Sequence, residues 1–314
     1  MLVTVALLLV SLVMITKGAD WFVEAAVSIS EKSGIPKIII GATIVSFATT
    51  APEFTVSAMA AYLDHVEMTV GNAVGSAICN IGLVLGTVIV IKAIPVELHG
   101  FTRKAGFMLG SALLLLAVSY DGVVSSFDGI LLLLVFLGFM YYNFRLQRAV
   151  FDGKDELREK VPISQLKKDI LLFITGALLV VIGSRILVDA GITIAEWLGI
   201  PEMIIALTLV ALGTSLPELI TAVSATLKGH QDISIGNILG ANTMDIALIL
   251  GASSQIRPLT ILTQSLEYDF PIMIVLMLIL IIFGITGRKL EKWEGGVILG
   301  VYIGYVVGLF TLFN

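Results

Sequence analysis

Cysteine is nearly absent. Cys79 stands alone, so no disulfide can form within the chain, and a small buried packing residue is its expected role. Charge is scarce as well. Only 14% of the 314 residues are Asp, Glu, Lys or Arg, while 57% are hydrophobic, and the mean hydropathy is +1.02. Soluble domains carry about 25% charged residues, so that class is excluded. The three histidines, His65, His99 and His230, all fall in expected loops. The longest polar stretch, Gln147 to Lys167, is too short to fold as a domain, which excludes a soluble regulatory module. A net charge of −5 gives no sign of a nucleic-acid partner. No lipidation motif is visible at either end. Leu2 to Thr16 lacks a basic start and a small-residue cleavage site, so it reads as a first membrane span rather than a signal.

What is abundant is long apolar sequence. The predicted fold class is all-α and polytopic, with ten spans near 2–30, 37–63, 69–91, 103–120, 126–146, 168–197, 202–227, 234–255, 270–287 and 294–313. The first and sixth are unusually long. They carry Lys17 with Asp20 and Arg185 with Asp189, expected to pair or to lie near an interface. Lys and Arg otherwise crowd one face, from Lys32 to Lys292, and the opposite face holds only Arg257. The positive-inside rule then predicts a multi-pass protein of the cell membrane with both termini outside and the 147–167 loop in the cytoplasm.

One stretch organises the rest: Thr49-Thr50-Ala51-Pro52-Glu53, inside the apolar segment Ile38 to Tyr62. A carboxylate at that depth points to function. Pro52 lacks an N–H and crowds the carbonyl four residues back, so a helix break or kink is expected here. Ser46, Thr49, Thr50, Glu53 and Ser57 share one helical face. Hydroxyls, a carboxylate and loosened carbonyls form the ligand set that hard cations prefer. Thr214-Ser215-Leu216-Pro217-Glu218 repeats the device. Both copies also fit a capping box that restarts a helix, and the two readings can coexist.

A shift of 165 residues overlays the chain on itself without a gap. Gly18 falls on Gly183, Gly34-Ile35-Pro36 on Gly199-Ile200-Pro201, Glu53 on Glu218, and Gly71-Asn72 on Gly236-Asn237. Each half, 1–146 and 168–314, holds five spans, so the halves must enter the membrane from opposite sides. The 147–167 linker divides them. Inverted repeats with interrupted helices at matching positions point to a secondary transporter with a midplane site. Asn72, Ser76 and Asn80 recur every four residues on the third span, and their echoes are Asn237, Ala241 and Asp245. The glycines beside them, and the asparagines at 72 and 237, are equally suited to helix packing and interhelical bonding. Burying Glu53, Glu218 and Asp245 costs roughly 8–10 kcal/mol on insertion scales of about 2.5–3.5 each. No Lys or Arg lies near them in the four central spans, so cations or protons must supply the counter-charge.

These motifs, Thr49 to Glu53 with Gly71 to Asn80 and Ala211 to Glu218 with Gly236 to Asp245, resemble the two alpha repeats of the sodium/calcium exchanger family, within the calcium:cation antiporter superfamily. The resemblance covers nearly the whole chain. It implies four ion sites at the midplane. Glu53 and Glu218 would be shared, with Thr49 and Thr214 completing the Ca2+ site. Thr50, Ser215 and Ser76, with the carbonyls of Ser46 and Ala211, would build the flanking Na+ sites. Asn80 and Asp245 would line the centre. The first and sixth helices would slide across the core as a pair. The implied activity is antiport of Na+ against Ca2+, without catalysis or cofactor, with the bilayer as surroundings and no obligate protein partner. The family pattern has a serine where this chain has Ala241, which removes one ligand from the site near Ser46, Thr49 and Thr50. Proton-coupled Ca2+ exchange on the same carboxylates is the near alternative. An intramembrane hydrolase would need acids flanking a peptide-sized cleft and a Gly-x-Gly-Asp element that the motifs lack. A channel fits inverted broken helices less well than alternating access does.

Overall fold

The computed structural model describes residues 2–32, 46–150, 167–227 and 231–313. The Gly34-Ile35-Pro36 motif, His230 and most of the linker lie outside them. The protein is an all-α polytopic membrane protein. Among the described residues, eight helices are long and apolar enough to cross a bilayer. The helices are α1 (Leu2–Lys32), α2 (Ser46–Tyr62), α3 (Val66–Ile91), α4 (Leu98–Val118), α5 (Ser126–Val150), α6 (Lys167–Leu198), α7 (Glu202–Thr214) and α8 (Leu216–Leu227). Next comes α9, made of Gln231–Met244, Asp245–Leu250 and Gly251–Ile256, then α10 (Ser265–Gly287) and α11 (Lys292–Leu312).

The ends of these helices are set by local chemistry. After α6, Gly199 takes φ +67°, where a side chain would be strained. Ile200 N–H then bonds the Ala195 carbonyl and Gly199 N–H the Glu196 carbonyl, which closes the helix end. Asp64 does the same after α2 at φ 72°, with His65 N–H on the Ala60 carbonyl and Asp64 N–H on Ala61. An Asp side chain tolerates this conformation. The two turns meet: His65 Nδ1 lies 2.7 Å from Glu202 Oε1. His99, expected in a loop, falls in the first turn of α4, which the Glu97 side chain caps.

α3 and α9 are the buried centre, and the other long helices surround them. Small residues allow the approach. A Cβ on Gly71 would lie 2.5 Å from the Ala206 Cβ, and one on Gly75 2.7 Å from the Leu207 carbonyl of α7. Gly251 of α9 meets Gly129 of α5, and Gly295 of α11 meets Gly86 of α3, each against main-chain oxygen. Without a hydrophobic drive between helices in lipid, this close packing supplies the cohesion. Two short strand pairs, absent from the sequence expectation, tie the rims. Ile94–Pro95 pairs with Lys289–Leu290, and Val123–Val124 with Leu259–Thr260, both antiparallel.

α1 and α6 are as long as expected, at 31 and 32 residues, and they pack against each other in antiparallel fashion. Their charges pair within each helix, Lys17 with Asp20 at 3.6 Å and Arg185 with Asp189 at 2.9 Å. The contact is glycine on backbone. A Cβ at Gly176 would stand 2.6 Å from the Phe22 nitrogen and 2.7 Å from the Gly18 carbonyl. Gly176→Ala therefore forces the helices apart, at an expected cost of about 1–3 kcal/mol. Thermal unfolding in detergent checks this against Gly300→Ala, where a Cβ meets nothing within 4 Å. Equal melting of the two variants would contradict the packing account.

Candidate ion-binding site

The sequence predicts a helix break or kink at both Pro52 and Pro217. A break is found only at the second. α7 ends at Thr214, Ser215 leaves helical geometry, and α8 restarts at Leu216. α2 instead runs through Pro52. The reason is the solvent: an opened turn in lipid bares several polar groups, whereas a proline within a helix frees only one carbonyl, here that of Ala48. On the α7 side, a π-helical turn over Ala206–Val210 has already displaced the bonding register, so the chain yields at Ser215.

The centre of the protein gathers the expected oxygens. Thr50, Glu53, Ser76, Asn80, Thr214, Ser215, Glu218 and Asp245 are all buried, each carboxylate only 1% exposed. Glu53, Glu218 and Asp245 lie close enough to repel one another. Both oxygens of Glu53 and of Glu218 lack any hydrogen-bond partner, as do Ser215 Oγ, Asn80 Oδ1 and Asp245 Oδ1. Leaving such groups unpaired costs about 1–3 kcal/mol each, and more for a charge. A concentration of buried oxygens without protein partners at one place marks a spot suited to a cation or water. Among the described residues, no three His, Cys, Asp or Glu side chains form a closed metal cluster. Hydroxyls, amides and main-chain oxygens must therefore complete any cation shell.

The neutral ligands are not equally free. Thr214 Oγ1 shares its proton among Asn72 Oδ1 and the Val210 and Ala211 carbonyls, all at 3.2 Å, and sits 3.5 Å from Ser76 Oγ. The Ala211 carbonyl also accepts from Ser215 N–H at 3.0 Å, so its lone pairs are in use. Among the described residues, Thr50 Oγ1 meets the Met244 sulfur, at 3.9 Å. Ala241 is buried nearby on α9 and adds no oxygen. The Ser46 and Thr49 side chains lie outside the described residues.

One feature was left open by the sequence and two were not read from it. Asn72 serves as glue: its amide donates to the Glu53 carbonyl at 3.2 Å and the Ser57 hydroxyl at 2.9 Å, and its oxygen receives Thr214. Sequence left that role open against ion binding. Asn242 donates to the Ala77 carbonyl at 2.9 Å and leaves its own oxygen unpartnered. Its echo is an alanine, so a search for repeated polar positions passes over it. Asp269 is a fully buried carboxylate beyond the three expected, because α10 starts earlier than its hydropathy suggests; Asp169 and Glu294, in the first turns of α6 and α11, are buried less completely. It accepts from Tyr305 at 2.9 Å and from Gln264, so it has partners of its own.

Comparison with known proteins finds relatives over nearly the whole chain. The profile of the sodium/calcium exchanger protein family matches residues 3–145 and 168–311. The chain belongs to that family. It is 32% identical to the sodium/calcium exchanger MaX1 of Methanosarcina acetivorans, over 98% of each chain. It is 34% identical to the inner membrane protein YrbG of Escherichia coli, over 100% of this chain and 98% of that one. The solved structure of the sodium-calcium exchanger NCX_Mj, soaked with 10 mM Na+ and 10 mM Sr2+, superposes with a TM-score of 0.66 at 30% identity, covering 99% of both chains. The family is one of ion exchangers rather than enzymes.

The orphaned carboxylates make a stability prediction. Glu53→Gln and Glu218→Gln each remove a buried charge and keep the shape. Both variants are expected to fold and to melt at or above the wild-type temperature in buffer free of divalent cations. A clear drop in melting temperature would mean that these groups support the fold.

Proposed function

We propose that this protein is a secondary antiporter that exchanges Na+ for Ca2+ across the cell membrane by alternating access, extruding Ca2+ with net charge movement. One observation carries the reading: Glu53 and Glu218 are buried, mutually repelling and unpartnered at all four oxygens. Among the described residues no Lys or Arg offsets them. An exchanger needs such a site, because the core is costly to move when empty and inexpensive to move when loaded. Ca2+ accepts a flexible cage of mixed oxygens, whereas Mg2+ demands a tight octahedron and sheds water reluctantly. The relatives named as sodium/calcium exchangers support the same ions.

In this reading Glu53, Glu218, Thr49 and Thr214 hold Ca2+. Thr50, Ser215, Ser76 and the carbonyls of Ser46 and Ala211 hold Na+. Asn80 and Asp245 line the centre. The ten spans form two inverted five-helix halves, 1–146 and 168–314, joined by a cytoplasmic 147–167 loop with both termini outside. Contacts between echoed positions support an internal two-fold axis. Asn80 Nδ2 reaches Asp245 Oδ2 at 3.4 Å, and Asn242 reaches the carbonyl of Ala77; in each pair the residues stand 165 apart. A residue that touches its own echo must sit beside the axis that relates them. The rim strands agree, since Ile94–Pro95 and its echo Leu259–Thr260 each pair with a strand from the opposite half. The axis therefore passes through the site, as in inverted-repeat transporters.

Ca2+ uptake into proteoliposomes under an imposed Na+ gradient, then under a pH gradient, tests the activity. Glu53→Gln and Glu218→Gln should each abolish uptake. Near-normal exchange by either would remove the site assignment.

A second reading, proton-coupled Ca2+ exchange, draws on Ala241 and on the sulfur facing Thr50. One flanking shell is poor in oxygen, and water can fill such a gap at little cost in a polar pocket. Na+ coupling is therefore expected to survive with weak apparent affinity, and Ala241→Ser should lower the Na+ concentration for half-maximal Ca2+ release. Release that follows pH and ignores Na+ in the wild type would favour protons.

A further inference from the structure

A cavity of about 350 Å³ opens between α4 and α5, away from the ion site. Arg103, Gly106, Phe107 and Gly110 line it from α4, at helical spacing that shares one face. Val135 and Tyr142 line it from α5. A Cβ at Gly106 or Gly110 would meet nothing within 4 Å, so these glycines open a channel and pack no neighbouring helix.

Two polar groups at its mouth are incompletely served. The Tyr142 hydroxyl is buried and has no hydrogen-bond partner. The Arg103 guanidinium lies over the Tyr142 ring at 5.7 Å, and no carboxylate among the described residues pairs with it. Both are donors, and both stand at the end of an apolar trough. Arg145 lies one turn beyond on α5, over Tyr141 at 5.7 Å. That rim is the cation-rich face that leads into the 147–167 loop.

We infer that this groove is a binding site for an anionic phospholipid, with its phosphate on Arg103 and the Tyr142 hydroxyl and an acyl chain along Gly106, Gly110 and Val135. The chemistry matches at both ends. A phosphodiester oxygen accepts from a guanidinium and a phenol together, and a hydrocarbon chain fills a trough walled by glycine, Phe107 and valine. A headgroup with no tethered cation of its own gains most from the basic rim. A free phosphate would leave the trough empty, so the bilayer is the source. Phe107 also packs edge-on against Phe139 at 5.6 Å, in the cluster that holds Met244, the residue whose sulfur meets Thr50. The bound lipid would thus brace a wall of the core.

Native mass spectrometry of the full chain, in micelles doped with phosphatidylglycerol or with phosphatidylcholine, tests the site. The wild type is expected to retain phosphatidylglycerol preferentially. Arg103→Gln should weaken retention about fivefold, the worth of one basic contact at a membrane surface. Tyr142→Phe should weaken it without disturbing the fold. Gly106→Leu should block the trough with Arg103 intact, and Lys292→Gln, at the start of α11, should change nothing. Wild-type retention by Arg103→Gln and Gly106→Leu would overturn the proposal. So would equal retention of phosphatidylcholine, or a wild-type dimer that Gly106→Leu converts to monomers, which would make a second copy of the chain the occupant.

Discussion

The structure depends on one constraint: carboxyl groups are buried at its centre, and among the described residues no cation answers their ionised form. Glu53 and Glu218 sit on different helices, and among the described residues their oxygens have no hydrogen-bond partner. Coulomb repulsion at low dielectric drives such groups apart, so something must hold them together. The neighbouring polar groups do this without neutralising them. Asn72 ties the Glu53 carbonyl and Ser57 to Thr214, so it bonds α2, α3 and α7 in one node. The glycines at 71 and 75 bring α3 within reach of α7 so that this node can form. Small-residue packing and the polar site are thus one arrangement: the first fixes distances and the second makes them costly to leave empty.

The inverted relation proposed for the halves would have a matching logic. Asn80 meets Asp245, its counterpart 165 residues on, and π-helical turns begin at those same two residues, Asn80–Leu85 and Asp245–Leu250. Such turns displace main-chain carbonyls from their usual acceptors and favour functional positions. The chain departs from symmetry at Ala241, at Asn242 opposite Ala77, and at Met244 opposite Cys79. All three lie on the α9 side, and in the proposed site they would make the two flanking shells chemically distinct.

Much of this was legible in the sequence because the bilayer narrows the possibilities. In lipid only helices and closed barrels satisfy their backbones, so apolar length gives the span positions. Charge is expensive there, so Glu53, Glu218 and Asp245 mark the site by their presence. Other features leave no such mark. The π-helical turns carry no composition signal. Whether a proline breaks its helix depends on neighbouring bonds, and Pro52 and Pro217 differ for that reason. Asp269 was hidden because Tyr305, a partner 36 residues on, lets α10 begin with a buried carboxyl. Asn242 was hidden by the repeat itself, since its echo is apolar.

The polar groups on α1 and α6 bear on the proposed sliding of that pair. Ser11 bonds the Leu8 carbonyl, Thr16 the Leu12 carbonyl, Ser184 that of Val180 and Thr193 that of Asp189. Each side chain is satisfied within its own helix, and so are the two ion pairs. The surface these helices turn toward the core is therefore apolar, with Leu8, Ile15, Leu187 and Val188 in one cluster with Val56, Ala60 and Val210. A hydrogen bond across that boundary would have to break whenever the helices moved, and in lipid no water would replace it. An apolar boundary exchanges one set of contacts for a similar set as it slides, so neither end of the motion is strongly favoured. The helices held most firmly to each other by Gly18, Gly176 and Gly183 are thus the ones tied to the core without directional bonds, which is the condition a moving pair requires.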